Sequence, residues 1–167
     1  MAFIKIGTLA SNQAPILRKE IITNSQVTTV GDSEKLASGF AASGTAGALV
    51  FGHVVGIVDN DLGLITNGAS GNFTGTYTAT STNQTVAFVK VECDISKMSL
   101  YSAEVDATIA TTTGSNLAGY RMDLIDEDTL DESTAATTTA QYNTWGVDAS
   151  DSTKAVVNIY ESQVFGV

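Results

Sequence analysis

The sequence has few of the residues on which crosslinks and catalytic sites most often depend. Its 167 residues include one cysteine, one histidine and one proline. A single cysteine excludes a disulfide within the chain. One cysteine with one histidine also cannot supply the ligands of a structural zinc site. Cys93 is therefore predicted to be a small buried hydrophobic residue, and no metal is predicted.

Basic residues are also scarce. Eight lysines and arginines stand against eighteen acidic residues, which gives a formal net charge of −10. Binding to nucleic acid needs clustered positive charge that neutralises phosphates. The eight basic residues are scattered along the chain, so no nucleic-acid partner is predicted. An acidic exterior instead keeps copies of the protein soluble and mutually repelling away from their contacts.

The motifs of common enzyme classes are missing. Ser43 lies in the stretch AASGT, which lacks both glycines of a nucleophile elbow. No glycine-rich stretch precedes Lys-Ser or Lys-Thr, so there is no phosphate-binding loop. The lone His53 lies within the most apolar stretch, where a histidine is typically a packed, hydrogen-bonded core residue. Acidic residues are plentiful enough for a glycosidase, but no pair is singled out. We predict no enzyme, no catalytic residue and no cofactor.

Residues 39–58 form a stretch without an acidic or basic side chain. Its second half is rich in β-branched and aromatic residues, which predicts a strand buried on both faces. Gly52 and Gly56 within it indicate a bulge or the close approach of another backbone. The first half consists mainly of small residues, and no basic cluster or aromatic belt flanks the stretch. This argues against a membrane span, and no membrane partner is predicted.

Alternation of apolar and polar residues dominates the rest of the chain. It is seen at residues 73–80, 86–95, 104–113, 119–125 and 155–164. Residues 31–38 and 97–101 are instead predicted as short helical turns or bends. The only tryptophan, Trp145, is predicted to anchor the core or join two sheets. The predicted fold is all-β, a compact antiparallel sandwich or small barrel of about eight strands with an N-terminal extended arm.

Residues 1–30 differ from the β domain predicted for residues 31–167. This segment is net positive, and two interpretations are open: an edge strand of the domain, or an arm that docks on an acidic surface such as a neighbouring copy. The candidate interaction residues are its apolar side chains and one arginine: Phe3, Ile4, Ile6, Leu9, Ile16, Leu17 and Arg18.

An acidic segment spans residues 123–132. As a calcium-binding loop it lacks the glycine at the sixth position and the glutamate at the twelfth. A solvated loop, a surface contact and a structural cation site remain as alternatives.

The second half of the chain resembles a group of small virion proteins of tailed bacteriophages. The resemblance runs from about residue 47 to the C-terminus. It rests on NQTV at 83–86, DISK at 94–97, LYSA at 100–103, TTGSN at 112–116, WGVD at 145–148 and residues 156–162. It implies a capsid decoration or cement protein, which is a compact β domain, often a homotrimer, that clamps neighbouring subunits of the major capsid protein. The implied location is the capsid exterior of the virion, after synthesis in the host cytoplasm. The family defines no catalytic residues.

The resemblance also implies that an N-terminal arm supplies the lattice contact. On this hypothesis residues 3–22 pack against the capsid or a neighbouring copy, and their deletion leaves a folded domain that no longer binds particles. Two other functions are open. One is a phage tail, baseplate or head-fibre component. The other is a carbohydrate-binding adhesin module, for which Trp145, Tyr142 and Tyr120 are the candidate aromatic residues.

Overall fold

Segments rich in threonine, valine and alanine form strands because such residues suit a pleated, half-buried surface. The structure is a computed structural model that describes residues 3–9, 16–59, 63–64, 75–79, 90–106, 119–131 and 140–160. Within these residues every regular element is a strand and none is a helix. The all-β prediction is confirmed.

Five strands form a closed ring, here called the first barrel. In spatial order they are β10, β12, β11, β13 and β14, and β14 pairs back with β10. A sixth strand, β1, pairs with the first half of β10, while β12 pairs with its last residues. The β10–β12 ladder is parallel, and the other described ladders of this sheet are antiparallel. The bounds are Ile4–Thr8 for β1, Ser99–Val105 for β10, Arg121–Leu124 for β11, Thr129–Asp131 for β12, Tyr142–Asp148 for β13 and Asp151–Ile159 for β14.

A second sheet has the order β2, β9, β6, β4 and β5, with β7 paired to the end of β6. An isolated parallel bridge joins Ile22 to Ala41, so the chain just after β2 lies beside β5. Two further strands, β3 and β8, pair separately with each other. The bounds are Leu17–Ile21 for β2, Val27–Thr29 for β3, Ser33–Ala37 for β4, Phe40–Ser43 for β5, Gly52–Asp59 for β6, Gly63–Leu64 for β7, Thr76–Thr78 for β8 and Lys90–Asp94 for β9.

Each large sheet encloses its own apolar cluster. In the first barrel, Met122, Leu124 and Leu130 are fully buried beside the inward side chains of β10 and β14. In the second sheet, Ile57 and Val91 pack with Cys93, whose thiol is buried and free. The prediction that Cys93 faces the core is confirmed. Fourteen strands are described, more than the eight counted from the sequence, because several have only two or three residues.

The bulge and the close backbone approach predicted from the glycines of the central apolar stretch are both present. Strand β6 lies between β4 and β9, and the register of the β6–β9 ladder shifts between Val54 and Gly56, which is the expected bulge. A methyl carbon added to Gly52 would lie 2.7 Å from the backbone oxygen of Asp94. Gly52 is therefore required for the close approach of two backbones.

Replacing Gly52 with alanine is expected to destabilise the protein by about 1–3 kcal/mol, because the clash is with backbone that cannot swing aside. Gly7→Ala is the matched control, since a methyl group there meets nothing within 4 Å. Denaturant unfolding of both variants tests this. Equal stability of the two variants would show that β6 and β9 tolerate a wider spacing.

One local prediction is wrong and another is right in part. Residues 33–37 form β4 rather than a helical turn. The turn predicted at 97–101 is present at residues 97 and 98 but ends where β10 begins at Ser99. Pairing with distant strands decides the structure in both segments. Ser33 pairs with His53, and Ser99 pairs with Thr8. The predicted strand segments at 73–74, 80, 86–89, 107–113 and 161–164 lie outside the described residues.

Candidate interaction surface

The N-terminal segment is joined to both large sheets. Strand β1 pairs with β10 of the first barrel, and β2 pairs along its whole length with β9 of the second sheet. Phe3 and Ile22, near the two ends of the segment, are buried core residues. Deleting residues 3–22 would therefore remove two strands and two core side chains, so point substitutions test this segment more cleanly than deletion does.

The seven candidate interaction residues divide into three groups. Phe3 is only 3% exposed and faces the core. The five aliphatic residues are exposed: Ile4, Ile6, Leu9, Ile16 and Leu17. Arg18 lies near the ring of Phe51 and pairs with Glu20 at 2.9 Å.

The geometry of β1 accounts for its exposed isoleucines. Lys5 reaches the buried carboxylate of Asp94, so Ile4 before it points to the opposite face. Ile6 is the extra residue where the register of the β1–β10 ladder shifts between Lys5 and Gly7. Ile4 is 51% exposed and Ile6 is 50% exposed. Together with Leu9, which directly follows the strand, they define what we call the N-terminal apolar face.

The basic residues of this segment are paired within the chain. The Nζ atom of Lys5 lies 2.8 Å from Oδ2 of Asp94, and Nζ of Lys19 lies 3.4 Å from Oε1 of Glu92. With the Arg18–Glu20 pair, this places an acidic partner beside each of these three basic residues. The surface offered to another molecule is consequently apolar more than positive.

A layer of aromatic rings joins β1 to the two large sheets. The ring of Phe3 stacks on Tyr142 with centroids 5.1 Å apart and contacts His53 at 4.5 Å. The centroids of His53 and Tyr101 are 4.0 Å apart. His53 comes from the second sheet and both tyrosines from the first barrel, so this layer fixes one to the other.

His53 is a fully buried residue with a hydrogen bond, as predicted. Its Nε2 lies 2.9 Å from the hydroxyl oxygen of Tyr142, which is in turn 2.9 Å from Oγ of Ser33. Burial lowers the pKa of His53 to about 3, against the smaller opposing effect of Asp94. The imidazole is thus neutral at ordinary pH. A Ser–Tyr–His chain with no exposed member holds the two sheets together rather than presenting a base to a substrate.

Asp94 is the buried anion beneath β1. It accepts hydrogen bonds at Oδ2 from Lys5, Ser99 and Tyr101, and at Oδ1 from the backbone NH of Ser96. Burial would raise its pKa, but these donors together hold it below the ordinary value. The carboxylate is therefore ionised and compensated.

Two further buried carboxyl groups were missed from the sequence. Glu34 is fully buried on β4 and accepts hydrogen bonds from Gln26 and Thr28. Burial raises its pKa to about 8. Burial likewise raises the pKa of Asp32 to about 7, with further contributions from Glu127 and Asp128. No local pattern distinguishes these acids from exposed ones, because their burial results from contacts made by the folded chain.

The acidic segment 123–132 divides between β11, a connecting turn and β12, and its last residue, Glu132, lies outside the described part of the chain. Asp123 and Asp131 are directly opposite each other on paired strands. Within the described residues, no group of three or more histidine, cysteine, aspartate or glutamate side chains is arranged to hold a metal ion.

The three aromatic candidates for sugar binding separate in the structure. Tyr142 is fully buried, while Tyr120 and Trp145 are exposed. The prediction that Trp145 anchors the core is wrong. Tyr142 and Thr144 take the inward positions of β13, so alternation directs Trp145 outward.

Comparison with family models, with curated proteins and with solved structures gives no match for this chain. The virion resemblance therefore stays a prediction. In the described residues, no helix has the length and apolar character needed to cross a membrane.

Proposed function

We propose that this protein is a structural component of a tailed-phage virion, a decoration or cement protein that binds the outside of the major capsid protein lattice. The observation that carries the proposal is the N-terminal apolar face. Five exposed isoleucine and leucine side chains lie within residues 4–17, and three of them, Ile4, Ile6 and Leu9, lie on β1 or directly after it. Such concentrations typically mark a surface that another protein covers.

The charge of the protein favours the same surface. With a net charge of −10, copies and acidic partners repel each other unless they meet at an uncharged area. The N-terminal apolar face offers that area, because its basic residues are already paired with acids of the same chain. In the described part of the sheet, β1 is an end strand of the order.

The described architecture suits a protein that holds neighbouring capsid subunits together. The ring of the first barrel and the aromatic layer beneath β1 hold the apolar face on a rigid support, which lowers the entropy lost on binding. The resemblance adds the expectation of homotrimers at threefold positions of the lattice. This role requires no catalysis and no cofactor.

The experiment is a binding assay on capsids that lack the protein. The double variant Ile4→Asp, Ile6→Asp is expected to bind at least about 30-fold more weakly, since it places charges in the centre of the contact. Val27→Asp is the matched control, because Val27 is equally exposed on the separate strand β3 and should bind normally.

Equal binding by the double variant and the control would overturn the role of the N-terminal apolar face. Cryo-electron microscopy of the decorated particle then locates the copies. Positions between capsid subunits support the cement function, and positions confined to the tail would assign the protein to the tail or baseplate instead.

A further inference from the structure

Trp145 is an exposed residue in a fixed orientation. It lies on the outer face of β13 and is 51% exposed. Its indole NH donates a 2.7 Å hydrogen bond to Oδ1 of Asn158 on the paired strand β14. Asn158 is itself held in place, since its amide nitrogen donates to the backbone oxygens of Lys97 and Ile159. The indole ring is therefore oriented before any ligand arrives.

A shallow cavity lies beside this ring. It has a volume of about 250 Å³ and is lined by Gly119, Asn143, Thr144 and Trp145. Gly119 bonds through its NH to the backbone oxygen of Thr144, and a methyl group built on it would meet nothing within 4 Å. The space around this glycine is therefore open.

A side-chain amide also lines the cavity. Asn143 shares the outer face of β13 with Trp145, and its side-chain amide makes no hydrogen bond to the described residues. An amide offers both a donor and an acceptor. The site thus combines an oriented aromatic face with an adjacent group that can bond to hydroxyls.

We propose that this cavity binds a neutral sugar ring of a glycan. One face of a hexose carries C–H groups that pack on an aromatic ring, and its edge carries hydroxyls that pair with an amide. Trp145 supplies the stacking face and Asn143 the hydrogen bonds. The size of the cavity suits a single sugar ring. The net charge of −10 disfavours an acidic glycan, which selects the neutral class.

The Trp145 cavity lies on a different strand from the proposed capsid contact. Strand β1 attaches to β10, whose neighbours in the ring are β12 and β14. Strands β11 and β13 are the two that lie across the ring from β10. Sugar binding is measured on the purified chain without capsid, so its outcome does not depend on the capsid contact.

The single tryptophan makes the test specific, because tryptophan fluorescence, excited selectively over the five tyrosines, reports on this site alone. Purified protein is titrated with neutral oligomers of glucose, mannose and N-acetylglucosamine, and with an oligomer of uronic acid. A saturable change in emission with at least one neutral oligomer is expected. Asn143→Ala keeps the reporter and is expected to weaken binding about 10-fold or more.

Calorimetry measures sugar binding by variants in which Trp145 itself is replaced. Trp145→Ala should lose at least about 30-fold in affinity, while Trp145→Phe keeps an aromatic face and should retain part of it. Leu49→Ala, an exposed apolar residue elsewhere, is the control and should bind as the unaltered chain does. Circular dichroism verifies the fold of each variant.

Three results would overturn the proposal: no saturable response to any neutral oligomer, unchanged affinity in both Asn143→Ala and Trp145→Ala, or tighter binding of the uronic acid oligomer. None of them bears on capsid binding, which is measured separately.

Discussion

Replacing Lys5 with methionine is expected to lower the free energy of unfolding by about 3 kcal/mol, because it leaves a buried carboxylate without its cation. Asp94 is fully buried, and Lys5 is its only positively charged partner among the described residues. In the variant, Asp94 still accepts hydrogen bonds from Ser99, Tyr101 and the backbone NH of Ser96. The expected loss in the free energy of unfolding is therefore at the lower end of the range for a broken buried ion pair.

Lys19→Met is the matched control. Lys19 also pairs with an acid of β9, but its side chain is 52% exposed and that of Glu92 is 24% exposed. Exposed pairs contribute between zero and about 1 kcal/mol, so this variant should unfold almost as the unaltered chain does. Urea unfolding at neutral pH separates the two cases. Equal losses would mean that Asp94 does not depend on Lys5 and that β1 is held by its backbone ladder and Phe3.

The Lys5–Asp94 pair should also affect how the stability of the protein depends on acidic pH. The pKa of Asp94 lies below its ordinary value of 3.8 in the folded protein, so its stabilising effect is present above that value. It is lost as the pH falls through the lower folded pKa. In the Lys5→Met variant this acid-dependent part of the stability should shrink.

Replacing Glu34 with glutamine is expected to stabilise the protein at pH 8 by about 4 kcal/mol. The pKa of Glu34 rises from 4.5 to about 8 on folding, so the folded protein holds a proton that the unfolded chain has released. The contribution of Glu34 to the free energy of unfolding is therefore greatest below pH 4.5, and it declines until the pH reaches about 8. Glutamine is neutral throughout and removes that decline.

Asp32 also contributes to the expected dependence of stability on pH. Its pKa rises from 3.8 to about 7, so it adds a decline of the same sign over a lower range. Glu34→Gln alone should keep a slope below pH 7, and the double variant with Asp32→Asn should lose most of it. Thermal unfolding from pH 4.5 to 9 measures all three proteins. Glu20→Gln makes the same chemical change on a partly exposed residue and is the control. A stability that rises between pH 5 and 8 in the unaltered chain would contradict this account.

The parts of the fold that the sequence predicted are those with a local signal. The apolar run with two glycines became the central strand β6, and the alternation around Met122 and Leu124 became β11. The position of Cys93 in the core followed from the alternation of β9. Each of these depends on a period of two, which a short window of sequence can show.

The failures came where distant residues decide the structure. Glu34 and Ser33 looked like the start of a helical turn, yet their pairing with Gly52 and His53 makes them strand residues. Trp145 was expected inside because it is large and apolar, but its neighbours take the inward positions of β13. The Trp145 cavity forms because Gly119, two residues before β11, lies beside β13. Only the folded chain brings these two segments together.

The order in which the strands are joined has a consequence for how the chain folds. Lys5 bonds to a residue 89 positions later, and Ser33 to one 109 positions later. Each large sheet takes strands from both the first and the second half of the chain. During synthesis, therefore, neither sheet can be completed until most of the chain has left the ribosome. Since contacts between distant residues slow folding, this protein should fold on the slow side for its size. In the nascent chain, β1 has to remain without its partner strand until β10 has been made.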